Sequence, residues 1–254
     1  MERTHRTDPD WPVLDPIVAH VDAARTVIPA VFLDSPQYED ELLNAALGTR
    51  VTVKVETANP LLSFKGRAVS YALRKVTAGE RVVCASSGNF GQAVAFVGRA
   101  RGARVRVYAP TPLNPVKRER ILAFGAHVVE VTGGGEQARH AAAAAEDALL
   151  LVDGVDTALA EGAATIAQEL TAAASFDTIV APVGDGSLIS GLACGPAPMH
   201  LQHASSGSFR LGAGHAPLPR SSPAQTPTPP HSPPSLQRRP EGRTNPLAVQ
   251  SARR

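Results

Sequence analysis

Two cysteines, Cys84 and Cys194, are all that the 254 residues contain, too few for a disulfide framework or a cysteine-built zinc site. No uninterrupted apolar run reaches the ~18 residues of a membrane-crossing helix. Met1 to Asp10 is polar and mixed in charge, without the apolar centre of a secretory signal. These absences lead to the expectation of a soluble, cytoplasmic protein. Lysine is scarce as well, with four against 21 arginines, so each lysine is conspicuous. What remains is a chain long enough for one large or two ordinary domains with a buried core.

Acidic residues are missing from one end. Residues 196 to 254 hold 12 of the 22 prolines, seven arginines, no lysine, no aspartate and one acid, Glu241, so this segment carries 7 − 1 = +6. Residues 1 to 195 carry 18 − 22 = −4. The net charge of +2 therefore belongs to the tail and says nothing about what the rest binds. In the tail, Met199, Leu201, Phe209, Leu211, Leu218, Leu236, Leu247 and Val249 are the only large apolar side chains, too sparse for helical or strand periodicity. Runs such as Pro227-Thr228-Pro229-Pro230 lack backbone donors and favour extended chain. The tail reads as disordered. Its charge suggests a nucleic acid or a proline-binding partner, but the arginines are scattered and Phe209 alone is available for base stacking, so no nucleic-acid partner is expected, and no membrane partner either.

Residues 81 to 192 alternate short apolar runs with longer amphipathic ones. Strands are expected at 81–86, 104–109, 127–131, 149–152 and 178–183, and helices at 90–101, 115–124, 136–148 and 157–173, with a further helix starting at Ser187. Repeated βα units imply α/β architecture, with open parallel sheets covered by helices on both faces. Ligands of such sheets sit beyond the carboxyl ends of the strands, which directs attention to the loops after Ala85 and Val183.

Three segments carry candidate chemistry. In Glu56 to Arg67, Lys65 follows Ser63, a candidate helix N-cap. A lysine in a first helical turn meets the positive end of the helix dipole, which favours a nucleophilic amine; a solvated surface lysine is the other reading. In Ser86-Ser87-Gly88-Asn89-Phe90-Gly91-Gln92, backbone N–H groups and two hydroxyls between strand and helix suit a carboxylate, and Asn89 adds an amide; an ordinary capped turn is the alternative. Val183-Gly184-Asp185-Gly186-Ser187-Leu188 has the same setting, with backbone freedom for close approach to a phosphate. Asp185 opposes simple charge attraction there, so N–H groups and the Ser187 hydroxyl are expected to bind, with the carboxylate turned away. None of these is a Walker loop or a three-glycine dinucleotide fingerprint. Cys84 reads as a small buried residue, and Cys194, His127 and His140 lack the partners of a catalytic or zinc site; no metal is expected. A nucleotide-binding α/β module remains open if Lys65 is a surface residue.

As an ordered set, these segments resemble the fold type II pyridoxal-phosphate enzymes, the tryptophan synthase β superfamily, and among them the serine and threonine dehydratases, over roughly Ile28 to Cys194. The resemblance implies pyridoxal 5′-phosphate as cofactor, Lys65 as the catalytic lysine bonded to it, and Phe64 beside it. It further implies Asn89 at the 3′ oxygen, Ser86, Ser87 and Gly88 on the substrate carboxylate, and Gly184, Asp185, Gly186, Ser187 and Leu188 on the cofactor phosphate. A small amino-acid substrate and a homodimer follow from the same resemblance, as does loss of the β-hydroxyl to give a 2-oxo acid and ammonia. Cysteine synthases place an aspartate after the lysine and threonines in the phosphate loop; Gly66 and the Gly-Asp-Gly-Ser-Leu run favour a dehydratase, with a threonine synthase-like enzyme as the alternative.

The implied organisation is a larger domain beginning in 1–55, a smaller α/β domain over 56–153, a return to the larger domain over 154–195, and the disordered tail over 196–254. Members of the superfamily continue with further strands and helices where this tail stands. The residue facing the pyridine nitrogen and the acidic cation ligands of some relatives are then missing, the larger domain is incomplete, and an open sheet edge is expected. The change of composition inside an expected helix reads as a shifted reading frame, and an inactive, truncated fragment of such an enzyme is the second functional expectation.

Overall fold

A computed structural model describes Pro16 and residues 18–145, 147–194, 200–204 and 208–212. The opening segment Met1 to Asp10 and most of the tail read as disordered lie outside the described residues.

A four-stranded parallel sheet forms the centre, ordered β5-β4-β3-β6. β3 (Arg81–Ala85) and β4 (Arg104–Pro110) are its inner strands, and β5 (His127–Val131) and β6 (Leu149–Leu151) its edges. Val82, Val83 and Cys84 are buried in succession, as expected where helices cover both faces. On one face α4 (Asn89–Ala100) presents Phe90, Ala93, Val94 and Val97 at helical spacing. α5 (Pro115–Ala123) begins with proline at its first position and is capped by Asn114, whose side chain accepts from the N–H groups of Val116 and Lys117. α6 (Gly135–Ala143) packs through Ala138 and Ala142 against Val83 and Tyr108. The helix expected to run to Ala148 stops five residues earlier, because β6 begins at Leu149 and the chain needs a turn between them.

A second layer is helical. α7 (Thr157–Ala173) is alanine-rich and buried along most of its length, with α1 (Val18–Val27), α3 (Lys65–Ala72) and α8 (Ser187–Ala193) against it. At Gly162 a Cβ would collide with the carbonyl oxygen of Arg67 and the Cα of Ala68. That close approach of α3 to α7 fixes the helix that begins with Lys65. Near the start of the chain, β1 (Gln37–Glu39) and β2 (Thr52–Lys54) pair antiparallel around α2 (Glu41–Leu47).

β7 (Thr178–Pro182) does not join the parallel sheet. It lies in a separate three-stranded sheet ordered β7-β9-β8, in which β9 (Ser208–Gly212) pairs antiparallel with both β7 and β8 (His200–Ala204). Two segments of the region read as disordered are strands, and one of them, β9, pairs along an edge of β7. The pairing is between backbones, which sparse apolar side chains do not reveal. No helix among the described residues is long and apolar enough to cross a membrane.

Candidate active site

Loops from three strand ends and the first residue of α3 border one cavity of about 430 Å³. Ser86, Ser87, Gly88 and Asn89 reach it from the end of β3, Asp153 from the end of β6, Asp185 from the end of β7, and Lys65 from the helical layer, with α6 forming a wall through Ala138 and Arg139. The carboxyl-end position is the usual ligand side of an open α/β sheet.

Lys65 is mostly buried, its side chain 13% exposed. Its Nζ donates to Asp153 Oδ2 at 2.5 Å and to Ser187 Oγ at 3.1 Å, and Ser187 Oγ in turn donates to Asp153 Oδ1 at 2.8 Å. The rings of Phe64 and Phe90 stand 4.7 and 5.7 Å from the amine. The expected cap is not made. Ser63 is buried with no partner for its hydroxyl among the described residues, and Phe64, in helical conformation, occupies the cap position. Asn59 shapes this turn instead, donating to the carbonyls of Glu56 and Ser63 and accepting from the Leu61 N–H. A side chain four residues earlier has already fixed the backbone that Ser63 was expected to cap.

Two residues after Lys65, Arg67 is completely buried. It forks onto Glu169 at 2.6 and 2.9 Å and onto Glu56 at 2.9 and 3.0 Å, the bidentate geometry that suits a guanidinium. Lys54 adds a contact to Glu169 at 2.7 Å. Burial pushes the Glu169 carboxyl up, but hydrogen bonds from Arg67, Lys54 and the Asp34 N–H outweigh it and hold the group down to about 2 from 4.5. This buried set of charges ties α3 to α7 and to the loop after β2.

The Ser86 loop is held by its own atoms. Ser86 Oγ accepts from the N–H groups of Gly88 at 3.1 Å and Gly91 at 3.0 Å, and the Ser86 N–H donates to the Tyr108 carbonyl. One N–H expected to face a ligand, that of Gly88, is thus turned inward, while Ser87 and Asn89 are exposed at the cavity.

In the third loop, the Asp185 carboxylate is half-exposed and lies 3.7 Å from Arg139. Gly154, in the left-handed region at φ +79°, lets the Asp153 loop close on this one, since a Cβ there would overlap the Asp185 carbonyl oxygen. Of the remaining candidates, Ser187 meets the site through Lys65 and Asp153, Phe64 and Leu188 pack against the apolar cluster around Ile166 and Ile189, and Gly184 and Gly186 flank the cavity-lining Asp185 without bordering the cavity themselves.

Asp153, Arg139 and Arg67 belong to the arrangement and were not singled out in the sequence. Asp153 had an available signal, because it follows the apolar run 149–152 and so stands at a strand's carboxyl end. Arg139 had none, since Asp185 is 46 residues distant in sequence, and for Arg67 only Glu56 is near, with Glu169 102 residues away.

Compared with known proteins, residues 33–204 match the family described as "Pyridoxal-phosphate dependent enzyme". The biosynthetic L-threonine dehydratase of Mycobacterium leprae is 33% identical over 183 residues, covering 68% of this chain and 43% of that protein. Serine racemase of Bos taurus is 29% identical over 169 residues, covering 63% of this chain and 51% of that protein. Among solved structures, a threonine deaminase is similar with a TM-score of 0.63 and 28% identity, over 70% of this chain and 60% of that one. This chain thus spans less than half the length of the Mycobacterium leprae dehydratase. With the family match running from ahead of β1 to the end of β8, the chain belongs to the pyridoxal-phosphate dependent enzymes.

Proposed function

We propose that this protein is a pyridoxal-phosphate dependent ammonia-lyase that converts serine or threonine-like hydroxy-amino acids to a 2-oxo acid and ammonia. The observation that carries the proposal is the Lys65 amine, which shares one cavity with the Ser86 to Asn89 loop and is held there by Asp153, 88 residues further along the chain. The threonine dehydratase relative and the threonine deaminase fold support the reaction class.

The residues present fit the cofactor. The cavity lies within the ~300–1,000 Å³ of small-molecule sites. A primary amine suits an aldehyde, and among the described residues a Cβ at Gly184 or Gly186 would meet nothing within 4 Å, so the backbone there is open to a phosphate. The Asp185 carboxylate faces Arg139, which offsets its repulsion of an anion. Lys65 would hold the aldehyde end, Asn89 the ring oxygen, and residues 184–188 the phosphate. When bound, pyridoxal phosphate supplies an electron sink that makes a substrate's α-proton removable.

The chain's own residues supply the rest. Ser87 and the remaining donor capacity of Ser86 hold the substrate carboxylate, with Gly88 leaving room beside them. Lys65 Nζ, when free, takes a proton, and Asp153 and Ser187 orient the nitrogen that carries it. Phe64 and Phe90 shield that nitrogen from water. One observation favours a second reading, a chain that binds the cofactor without turnover: in this structure the amine is already engaged by Asp153 and Ser187.

Assay of 2-oxo acid and ammonia from serine and threonine, with pyridoxal phosphate added, tests the proposal. Equal amounts of both products from the parent and none from Lys65→Ala are expected. Cofactor binding by the parent without either product would contradict lyase activity and leave the second reading.

A further inference from the structure

We propose that Asp153 competes with the cofactor for Lys65, so that the chain carries a built-in counter-ion that weakens its own capture of pyridoxal phosphate. The proposal rests on the reading of Lys65 as the residue that bonds the aldehyde. Asp153 is the right group for this role by position. Its side chain is 9% exposed, and it accepts from Lys65 Nζ at 2.5 Å and from Ser187 Oγ at 2.8 Å. Among the described residues no other cation pairs with it. Asp185, the neighbouring carboxylate across Gly154, is paired with Arg139 instead.

A count of donors gives the direction of the effect. An ammonium has three N–H donors, enough for both Asp153 and Ser187. When the nitrogen forms a double bond to the aldehyde carbon, the aldehyde oxygen leaves as water with two of those protons, and the nitrogen keeps one. It can no longer serve both partners. The nitrogen stays charged and keeps one N–H, so either Asp153 or Ser187 loses its hydrogen bond from Lys65, and a mostly buried polar group left short of a donor is costly. Capture of the aldehyde therefore works against the hydrogen-bonded set of Lys65, Asp153 and Ser187. Replacing the carboxylate with a neutral group of similar shape removes that opposition. Gly154 keeps the arrangement in place, because its left-handed conformation and missing Cβ set the Asp153 loop against the Asp185 backbone.

The experiment is a titration of the full chain with pyridoxal phosphate, following the visible absorbance band of the bonded cofactor, for the parent, Asp153→Asn, Asp153→Ser and Lys65→Ala. A thermal melt of each chain checks folding, and the serine variant serves if the asparagine variant does not fold. The expected result is a half-maximal concentration at least tenfold lower in the Asp153 variants than in the parent, with no band in Lys65→Ala. A band that appears in Asp153→Asn but not in the parent is the same result at its extreme. Half-maximal concentrations equal to or above the parent's, in folded Asp153 variants that form the band, would overturn the proposal and leave the Lys65 reading intact. A band that survives in Lys65→Ala, or none in any chain, overturns the reading of Lys65 and the proposal with it.

Discussion

The two sides of the cavity are built by different physics. Ser86 to Asn89 sits on the parallel sheet, and its shape comes from a strand end, a helix start and one hydroxyl that accepts from two nearby N–H groups. Lys65 sits on a short helix whose position depends on two carboxylates and a hydroxyl brought from far along the chain: Glu169, Asp153 and Ser187 are 88 to 122 residues away from their partners on α3. The loop is a local structure on an apolar scaffold. The lysine is held by long-range ion pairs, which contribute only when every partner is in place.

Arg67→Met tests the difference most severely. Removing a fully buried guanidinium leaves Glu169 and Glu56 short of donors, and a loss of about 3–5 kcal/mol is expected for breaking a buried charge cluster from one side. Urea unfolding of parent and variant measures it; a loss under ~1 kcal/mol, the size of an exposed pair, would erase the contrast between the two sides.

Acid should strike the lysine side in the same way. Glu169 is held at about 2 in the folded chain against an ordinary 4.5, so its contribution is complete above its unfolded value and is lost as pH falls from 4.5 towards 2. The loss is on the order of 3 kcal/mol. It is read as unfolding free energy against pH, and it should largely vanish in Glu169→Gln.

Gly154→Ala places a Cβ in the left-handed region and against the Asp185 carbonyl. A loss of about 2 kcal/mol is expected from the conformation and the contact together, measured by thermal unfolding. The smallest effect belongs to the loop. Ser86→Ala removes an acceptor shared by two backbone N–H groups and should cost about 1 kcal/mol. A larger loss than that from Arg67→Met, in the same unfolding assay, would reverse the comparison.

The same contrast explains what could be read in advance. Strands β3, β4, β5 and β7 and helices α4, α5 and α7 follow from apolar periodicity and from local signals such as Asn114-Pro115, and they agree with the structure to within a residue or two at each end. The glycine-bearing loops were legible because strand-to-helix turns have local chemistry. Ser63 was misread because Asn59 shapes that turn through hydrogen bonds that no N-cap pattern encodes. Asp153 and Arg67 were passed over because a carboxylate or a guanidinium looks the same in sequence whether its partner is water or a buried ion. β8 and β9 were missed because they are defined by backbone pairing in a stretch with few apolar side chains.

The central claim is that Lys65 is the residue that bonds pyridoxal phosphate, and the scarcity of lysine makes it directly testable. Reduction of the protein with borohydride in the presence of the cofactor, followed by peptide mass mapping, has four lysines to distinguish: Lys54, Lys65, Lys75 and Lys117. The account predicts a pyridoxyl group on Lys65, at one per chain. Labelling concentrated on any of the other three, or absent from Lys65, would contradict it.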